Sequence, residues 1–410
     1  MSRSSGEPHV QRWSDQRWLL DNVIRSVGMD WDAPRLPHLN AALGPESTAD
    51  INSIRQRVQK FADIEGAFAA VAQRREARAI ASEAAEEFVT ARENYYMAAN
   101  YWASAQWPID ESNDQNRFYN QQKRKCYTKY AQLADHHVEE VWIPFQGKSL
   151  PAWFHLPANY AGGRIPAVVF IPGMDGYKER SVPLYGDPWL NRGIAVLVVD
   201  GPGQYETPLL DIHVSMPAWS AAGPAMMEWL LQRTEIDPTR IGITGRSFGS
   251  LFATIAISNE PRFRACAVTA VCLEPGCHTI FEEASPTFKK RFMWMAGYTD
   301  EAEFNAFCKS LTWEGYVDKI HQPHLTITGE ADELSPLRYT EQFVKALPGP
   351  KQLVIYQDSR HTVSGVPSVN LGPTPNVLLC EWMAARLNGK PFANERWFVE
   401  AGGRVNKSTI

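Results

Sequence analysis

The chain has 410 residues, 44% of them hydrophobic and 21% charged, with a formal net charge of −5. That composition supports one large folded domain with an addition, or two domains. It carries no basic tract, which excludes a nucleic-acid partner, and no apolar run approaching the roughly 20 residues of a membrane span.

The six cysteines (126, 266, 272, 277, 308 and 380) contain no Cys-x-x-Cys pair. Cys266 and Cys272 sit in an apolar run and read as small buried thiols, as expected in a reducing compartment. The amino terminus, Met1 to His9, lacks the apolar core of a signal peptide, so a cytoplasmic location is expected.

Residues 1–135 are predicted to be helical and to form a separate region. Trp13, Trp18, Leu19, Leu20, Val23 and Ile24 recur at helical spacing between Val10 and Val27. The Pro- and Gly-containing stretch from Asp32 to Ser47 is read as a connector. Helical patterning resumes near Ile51 and runs through the alanine-rich Ala67 to Ala85. Phe88, Tyr95 and Trp102 then recur every seven residues, with Ala91, Ala98 and Ala105 among them, until Pro108. This alternation of large and small residues predicts a helix-packing face. A further helix over 113–133 carries Lys123-Arg124-Lys125, which is read as a solvated face.

The pattern changes near His137. Val138–Pro144 and Leu150–Leu156 predict a hairpin, and strands and helices alternate from there. Strands are expected at Ala167–Ile171, Ile194–Val199, Ile241–Thr244, Arg264–Cys272, His324–Thr328 and, last, Gln352–Tyr356. Helices are expected at Pro183–Arg192, Pro217–Gln232, after Ser247, and at Asn376–Leu387. Continuous apolar strands alternating with helices imply a mainly parallel sheet covered on both faces. An insertion at about 275–320, rich in Phe281, Phe288, Phe292, Met293, Trp294 and Met295, interrupts this region, which spans 136–410.

One stretch organises the rest. Gly245-Arg246-Ser247-Phe248-Gly249 lies between a strand and a helix and reads as a nucleophile elbow. A Cβ at Gly245 or Gly249 would crowd the neighbouring strand and helix. A serine hydroxyl needs a base, and the base needs an orienting carboxylate, each on a later strand end. The strand ending at Thr328 runs into Gly329-Glu330-Ala331-Asp332-Glu333, and the strand ending at Tyr356 runs into Gln357-Asp358-Ser359-Arg360-His361. His361 is the expected base. Among Glu330, Asp332, Glu333 and Asp358, the position three residues after the strand-ending glycine favours Asp332 as its partner. Oxyanion donors are expected at the backbone N–H of Phe248 and, in the Pro172-Gly173-Met174-Asp175-Gly176 loop, of Met174.

Asp200-Gly201-Pro202-Gly203-Gln204, the Gly173 loop with Lys178-Glu179, Gly245-Arg246-Ser247 and the Tyr95–Trp102 stretch together resemble one α/β-hydrolase group. It includes dihydroxypseudooxynicotine hydrolase, fungal polyketide-shortening hydrolases and the fermentation–respiration switch proteins, and the likeness runs from roughly Phe88 to Leu387. Tyr205 departs from it, standing where the group has glycine. The resemblance implies an α/β-hydrolase fold, a mostly parallel twisted sheet with helices on both faces, plus an N-terminal helical cap over the site. It implies a serine hydrolase without cofactor or metal, often a homodimer. Such an enzyme splits an ester or a β-diketone-type carbon–carbon bond of a small molecule.

Substrate contacts are sought at Glu274, Tyr205, Phe292 and Trp294. Glu274 suits a buried-edge carboxylate or a helix cap equally, and the aromatic insertion suits a packing core as well as a mainly apolar, medium-sized substrate. Two other readings are a non-catalytic binding or regulatory protein on the same fold, and an oligopeptidase, which would place a β-propeller before the sheet.

Overall fold

The computed structural model describes residues 10–410; the segment weighed as a signal peptide, Met1 to His9, lies outside them. Six helices come first: α1 (Gln11–Val27), α2 (Arg35–Leu43), α3 (Thr48–Arg57), α4 (Asp63–Ala84), α5 (Phe88–Gln106) and α6 (Asp114–Leu133). The heptad in α5 works as a packing face for Tyr95 and Trp102, which are buried beside the fully buried Ala91, Ala98 and Ala105; Phe88 at its start is exposed. Small residues at this spacing let α4 and α5 approach closely.

The stretch read as a connector holds α2. Pro34 stands just before it and Pro37 lies in its first turn, where a missing N–H costs nothing because no intrahelical acceptor exists there. Leu36, Leu39 and Leu43 then bury one face.

The sheet begins with the hairpin β1 (Val138–Phe145) and β2 (Lys148–His155), followed by β3 (Ile165–Ile171) and β4 (Ala195–Val199). Next come α7 (Met216–Leu231), β5 (Ile236–Ser247), α8 (Phe248–Ser258), β6 (Cys266–Val271), α9 (Pro286–Ala296), α10 (Glu301–Cys308) and β7 (His324–Gly329). The chain closes with α11 (Leu337–Ala346), β8 (Lys351–Tyr356), α12 (Pro367–Leu371), α13 (Pro375–Leu387), β9 (Glu395–Val399) and β10 (Val405–Thr409).

The ten strands lie in the order β1-β2-β4-β3-β5-β6-β7-β8-β9-β10. Pairs β1/β2, β2/β4 and β9/β10 are antiparallel and the others parallel. Alternate residues face opposite layers: Ala167, Val169 and Ile171 pack with Trp219 of α7 and Phe252 of α8, while Val168, Val196 and Val198 pack with Leu379 and Met383 of α13. From β3 the chain steps out to β4 and returns to β5 on the other side of β3. The carboxyl ends of β3 and β5 therefore form a topological switch point, where a crevice opens.

Three further expectations are corrected. Residues 183–192 form an irregular loop ending in a single 3-10 turn, Leu190–Arg192, because Gly186 and Pro188 interrupt it and Asp187 caps only Trp189 and Leu190. The strand at 352–356 is not the last, since β9 and β10 extend the edge with few buried residues. Lys123 is not solvated: it is fully buried. No described helix is long and apolar enough to cross a membrane.

Candidate active site

Ser247 ends β5 and immediately precedes α8, with φ 55° and ψ −129°. Few side chains adopt such a conformation, and it costs roughly 1–3 kcal/mol. The turn closes only because its neighbours are glycines. A Cβ on Gly245 would lie 2.0 Å from the Gly249 carbonyl oxygen, and one on Gly249 would lie 2.2 Å from that of Ile171. Phe248 is the first residue of α8, so its N–H has no acceptor within the helix.

His361 Nε2 lies 3.0 Å from Ser247 Oγ, and its Nδ1 lies 3.1 Å from both carboxylate oxygens of Asp332. Asp332 Oδ1 also accepts from the N–H groups of Leu334 and Ser335 at 3.0 and 2.9 Å, which fixes its orientation. The flanking acids have separate tasks. Glu333 accepts the His361 N–H at 3.0 Å and Glu330 that of Asp358 at 3.0 Å, tying the histidine loop to the end of β7. Burial opposes a charged imidazole, but the Asp332 carboxylate outweighs it and holds the His361 pKa well above the ordinary value. Cys272 is buried as expected, yet its Sγ comes to 3.6 Å from Ser247 Oγ, a proximity the apolar run did not reveal.

The loop after β3 presses against Ser247: a Cβ on Gly173 would fall 2.9 Å from that of Ser247. Met174 follows, buried on the cavity wall. Asp175 is held by the helical layer, accepting from Trp107 Nε1 at 2.9 Å and pairing with Arg35 at 2.9 Å.

Beneath this loop lies a buried ionic network. Lys178 Nζ contacts Glu206 at 2.6 Å, Glu179 at 2.9 Å and Asp200 at 3.3 Å, and Lys123 of α6 stands 3.6 Å from both glutamates. Burial pushes the Asp200 pKa up; burial also opposes the charge of Glu206, yet Lys178 and Lys123 hold that carboxyl down to about 2. Two ammonium groups, with the Arg124 guanidinium 3.6 Å from Glu206, thus face the three acidic groups Glu179, Glu206 and Asp200.

Tyr205 has a φ of 37°, a conformation suited to glycine. Its ring packs 4.7 Å from that of Tyr177, under the cations of Lys123 and Arg291, and its hydroxyl donates to the Ala103 carbonyl.

These parts open on one cavity of about 760 Å³, reached by Ser247, His361, Met174 and Tyr205. The segment around α2, with Trp31 and His38, and Trp107 form part of its walls, together with the loops after β3 and β8. The insertion supplies Ile280 and Phe288. Glu274, Phe292 and Trp294 do not line it. Glu274 is buried and accepts the Thr279 N–H at 2.9 Å. Phe292 packs on Phe248 and Phe281, and Trp294 donates to Ser112 at 3.2 Å. Among the described residues no cluster of three or more His, Cys, Asp or Glu is disposed to hold a metal.

The family described as "Esterase FrsA-like" matches residues 67–299, more than half of the chain, and the prolyl oligopeptidase family matches 224–385. "Alpha/beta hydrolase xenA" of Xenoacremonium sinensis is 29% identical over 282 residues, 65% of either chain. "2,6-dihydropseudooxynicotine hydrolase" of Paenarthrobacter nicotinovorans is 24% identical over 264 residues, 64% of this chain and 68% of the relative. The chain spans from about half to about two thirds of the length of the curated relatives it matches. A crystal structure of the 2,6-dihydroxy-pseudo-oxynicotine hydrolase superposes with a TM-score of 0.73 at 24% identity, covering 87% of this chain and 97% of that one. This likeness shows the fold.

Proposed function

The chain belongs to the FrsA-like esterase family and is an α/β-hydrolase, and we propose that it works as a serine hydrolase cleaving an acyl bond of a medium-sized small molecule. The observation that carries this reading is the unbroken hydrogen-bond chain from Ser247 Oγ through the His361 ring to Asp332.

In this mechanism Ser247 Oγ attacks the substrate carbonyl carbon while His361 Nε2 takes its proton. Asp332 holds the ring and stabilises the imidazolium. The carbonyl oxygen, now negative, is received by the N–H groups of Met174 and Phe248; one such donor contributes about 3–4 kcal/mol. His361 returns the proton to the leaving group and an acyl-enzyme remains. Water, deprotonated by the same histidine, then releases a carboxylic acid and restores Ser247. Attack and acyl transfer are the same for a carboxylic ester and for a β-diketone-type carbon–carbon bond; only the leaving group differs, an alkoxide or an enolate. The largely apolar walls of the cavity and a relative named 2,6-dihydropseudooxynicotine hydrolase support a small-molecule substrate.

The test is a fluorophosphonate probe read by peptide mass spectrometry, beside turnover of p-nitrophenyl esters and a β-diketone. Labelling at Ser247, with labelling and turnover both lost in Ser247→Ala at unchanged circular dichroism, is the expected result. Turnover retained by that variant contradicts the proposal.

A further inference from the structure

Arg246 occupies the position between Gly245 and Ser247 and lines the cavity. Its Nη2 donates to the Thr362 carbonyl at 3.3 Å and meets His38 Nε2 at 3.4 Å. A guanidinium only donates, so His38 accepts at Nε2 and carries its proton on Nδ1. These contacts use one of the three guanidinium nitrogens, and both partners are uncharged. No carboxylate among the described residues forms an ion pair with Arg246, with Arg180 on the same wall, or with Arg360 at the rim.

The carboxylates of that wall are committed elsewhere. Asp32 and Asp175 pair with Arg35, and Asp30 accepts the Leu36 N–H. Asp187 caps Trp189 and Leu190, and Glu333 holds the His361 N–H. The charge felt by Arg246 is therefore that of another cation. Burial and the nearby Arg180 push its pKa down to about 10, and burial with Arg246, Arg180 and Arg35 holds His38 down to about 3. Arg246 is a half-buried cation with no counter-charge, and an anion entering the cavity would supply one. Its planar fork matches a carboxylate bidentately.

We propose that the small molecule hydrolysed here carries a carboxylate, seated on Arg246 with Arg180 beside it, while its scissile carbonyl lies at Ser247. The assignment rests on the reading of Ser247 as the nucleophile. It makes Arg246 a specificity-determining residue, built into the elbow so that the anion site and the reacting hydroxyl are one residue apart in the chain.

The test uses monomethyl and dimethyl esters of the dicarboxylic acids from succinate to suberate as competitors of fluorophosphonate labelling at Ser247. Each pair offers the same ester and differs only in one charged end. For at least one chain length the half-ester is expected to halve the labelling rate at a concentration about tenfold below that of its diester. Arg246→Gln, and separately Arg180→Gln, should shrink that ratio. The wild-type ratio stands as a test by itself where a variant fails to fold. Labelling at Ser247 with no half-ester preferred at any length overturns the anion site and leaves the serine hydrolase reading intact. Absence of labelling overturns both. A preference left unchanged in both variants, or matched by inorganic sulfate at equal concentration, overturns the assignment of a substrate carboxylate to these arginines.

Discussion

Lys123, midway along α6, lies 3.6 Å from Glu179 and 3.6 Å from Glu206, and all three side chains are shut away from solvent. The glutamates belong to the segments after β3 and β4, so a cation from the helical layer sits in the foundation of the loop that presses on Ser247. Arg35 repeats the arrangement above, reaching from α2 to Asp175 within that loop. The helical layer is thus joined to the sheet through charges under and over the site.

Removing Lys123 should therefore be a stability event. Lys123→Met is expected to lower unfolding free energy by about 3–5 kcal/mol, because two buried carboxylates lose a counter-charge. Lys125→Met, two residues on, removes a largely exposed ammonium paired with Glu76 and should cost at most about 1 kcal/mol. Urea unfolding of the two variants compares them, and equal losses would contradict the burial argument.

The pH profile follows from His361. In the proposed mechanism His361 must be neutral to accept the Ser247 proton, and Asp332 raises its pKa despite burial. The acid limb of kcat/KM is therefore expected to have its midpoint above the ordinary histidine value of about 6.5. Linkage runs in the opposite sense for stability. The ion pair contributes fully below the unfolded-state pKa, and its contribution is lost as pH rises through the raised folded value. A rate limb below pH 6 would refute this account.

Gly173 tests the approach of the loop to Ser247. Gly173→Ala puts a Cβ within 2.9 Å of Ser247 Cβ and 3.0 Å of the Arg246 carbonyl oxygen, so loop or serine must shift. A displacement approaching 1 Å costs about a hundredfold in rate. Steady-state kinetics should show kcat falling on that order with KM changed far less, and circular dichroism should be unaltered.

Tyr205 sets two effects against each other. Tyr205→Gly relieves a backbone at positive φ, worth about 1 kcal/mol, but empties the space of a fully buried ring, worth about 3–5 kcal/mol for a large aromatic. Net destabilisation of about 2–4 kcal/mol is expected by denaturant titration. A neutral or stabilised variant would mean that strain dominates and that the ring contributes little.

Much of this was legible from short-range pattern alone. The elbow, the alternating strands and helices, and the order of Ser247, Asp332 and His361 follow from local steric and hydrophobic rules, each readable within about ten residues. The basic run in α6 was misread for an instructive reason. Lys123 falls at helical spacing with the buried Asn116, Tyr119, Cys126, Tyr127 and Tyr130, so periodicity pointed inward while charge suggested solvent. Its carboxylate partners lie more than fifty residues away and left no local trace.

The walls of the cavity belong to the same class. Phe292 and Trp294 complete a core, while Trp31 and His38, beside prolines that break a helical pattern, line the same cavity as Ser247. The sequence by itself determined the strand-turn-helix that strains Ser247 and the polar residues ending β7 and β8. Only the tertiary structure decided which charges are buried, which aromatics touch substrate space and which guanidinium has no counter-ion. Those properties depend on what meets across layers, and burial is a relation between distant segments, whereas backbone strain belongs to a few adjacent residues.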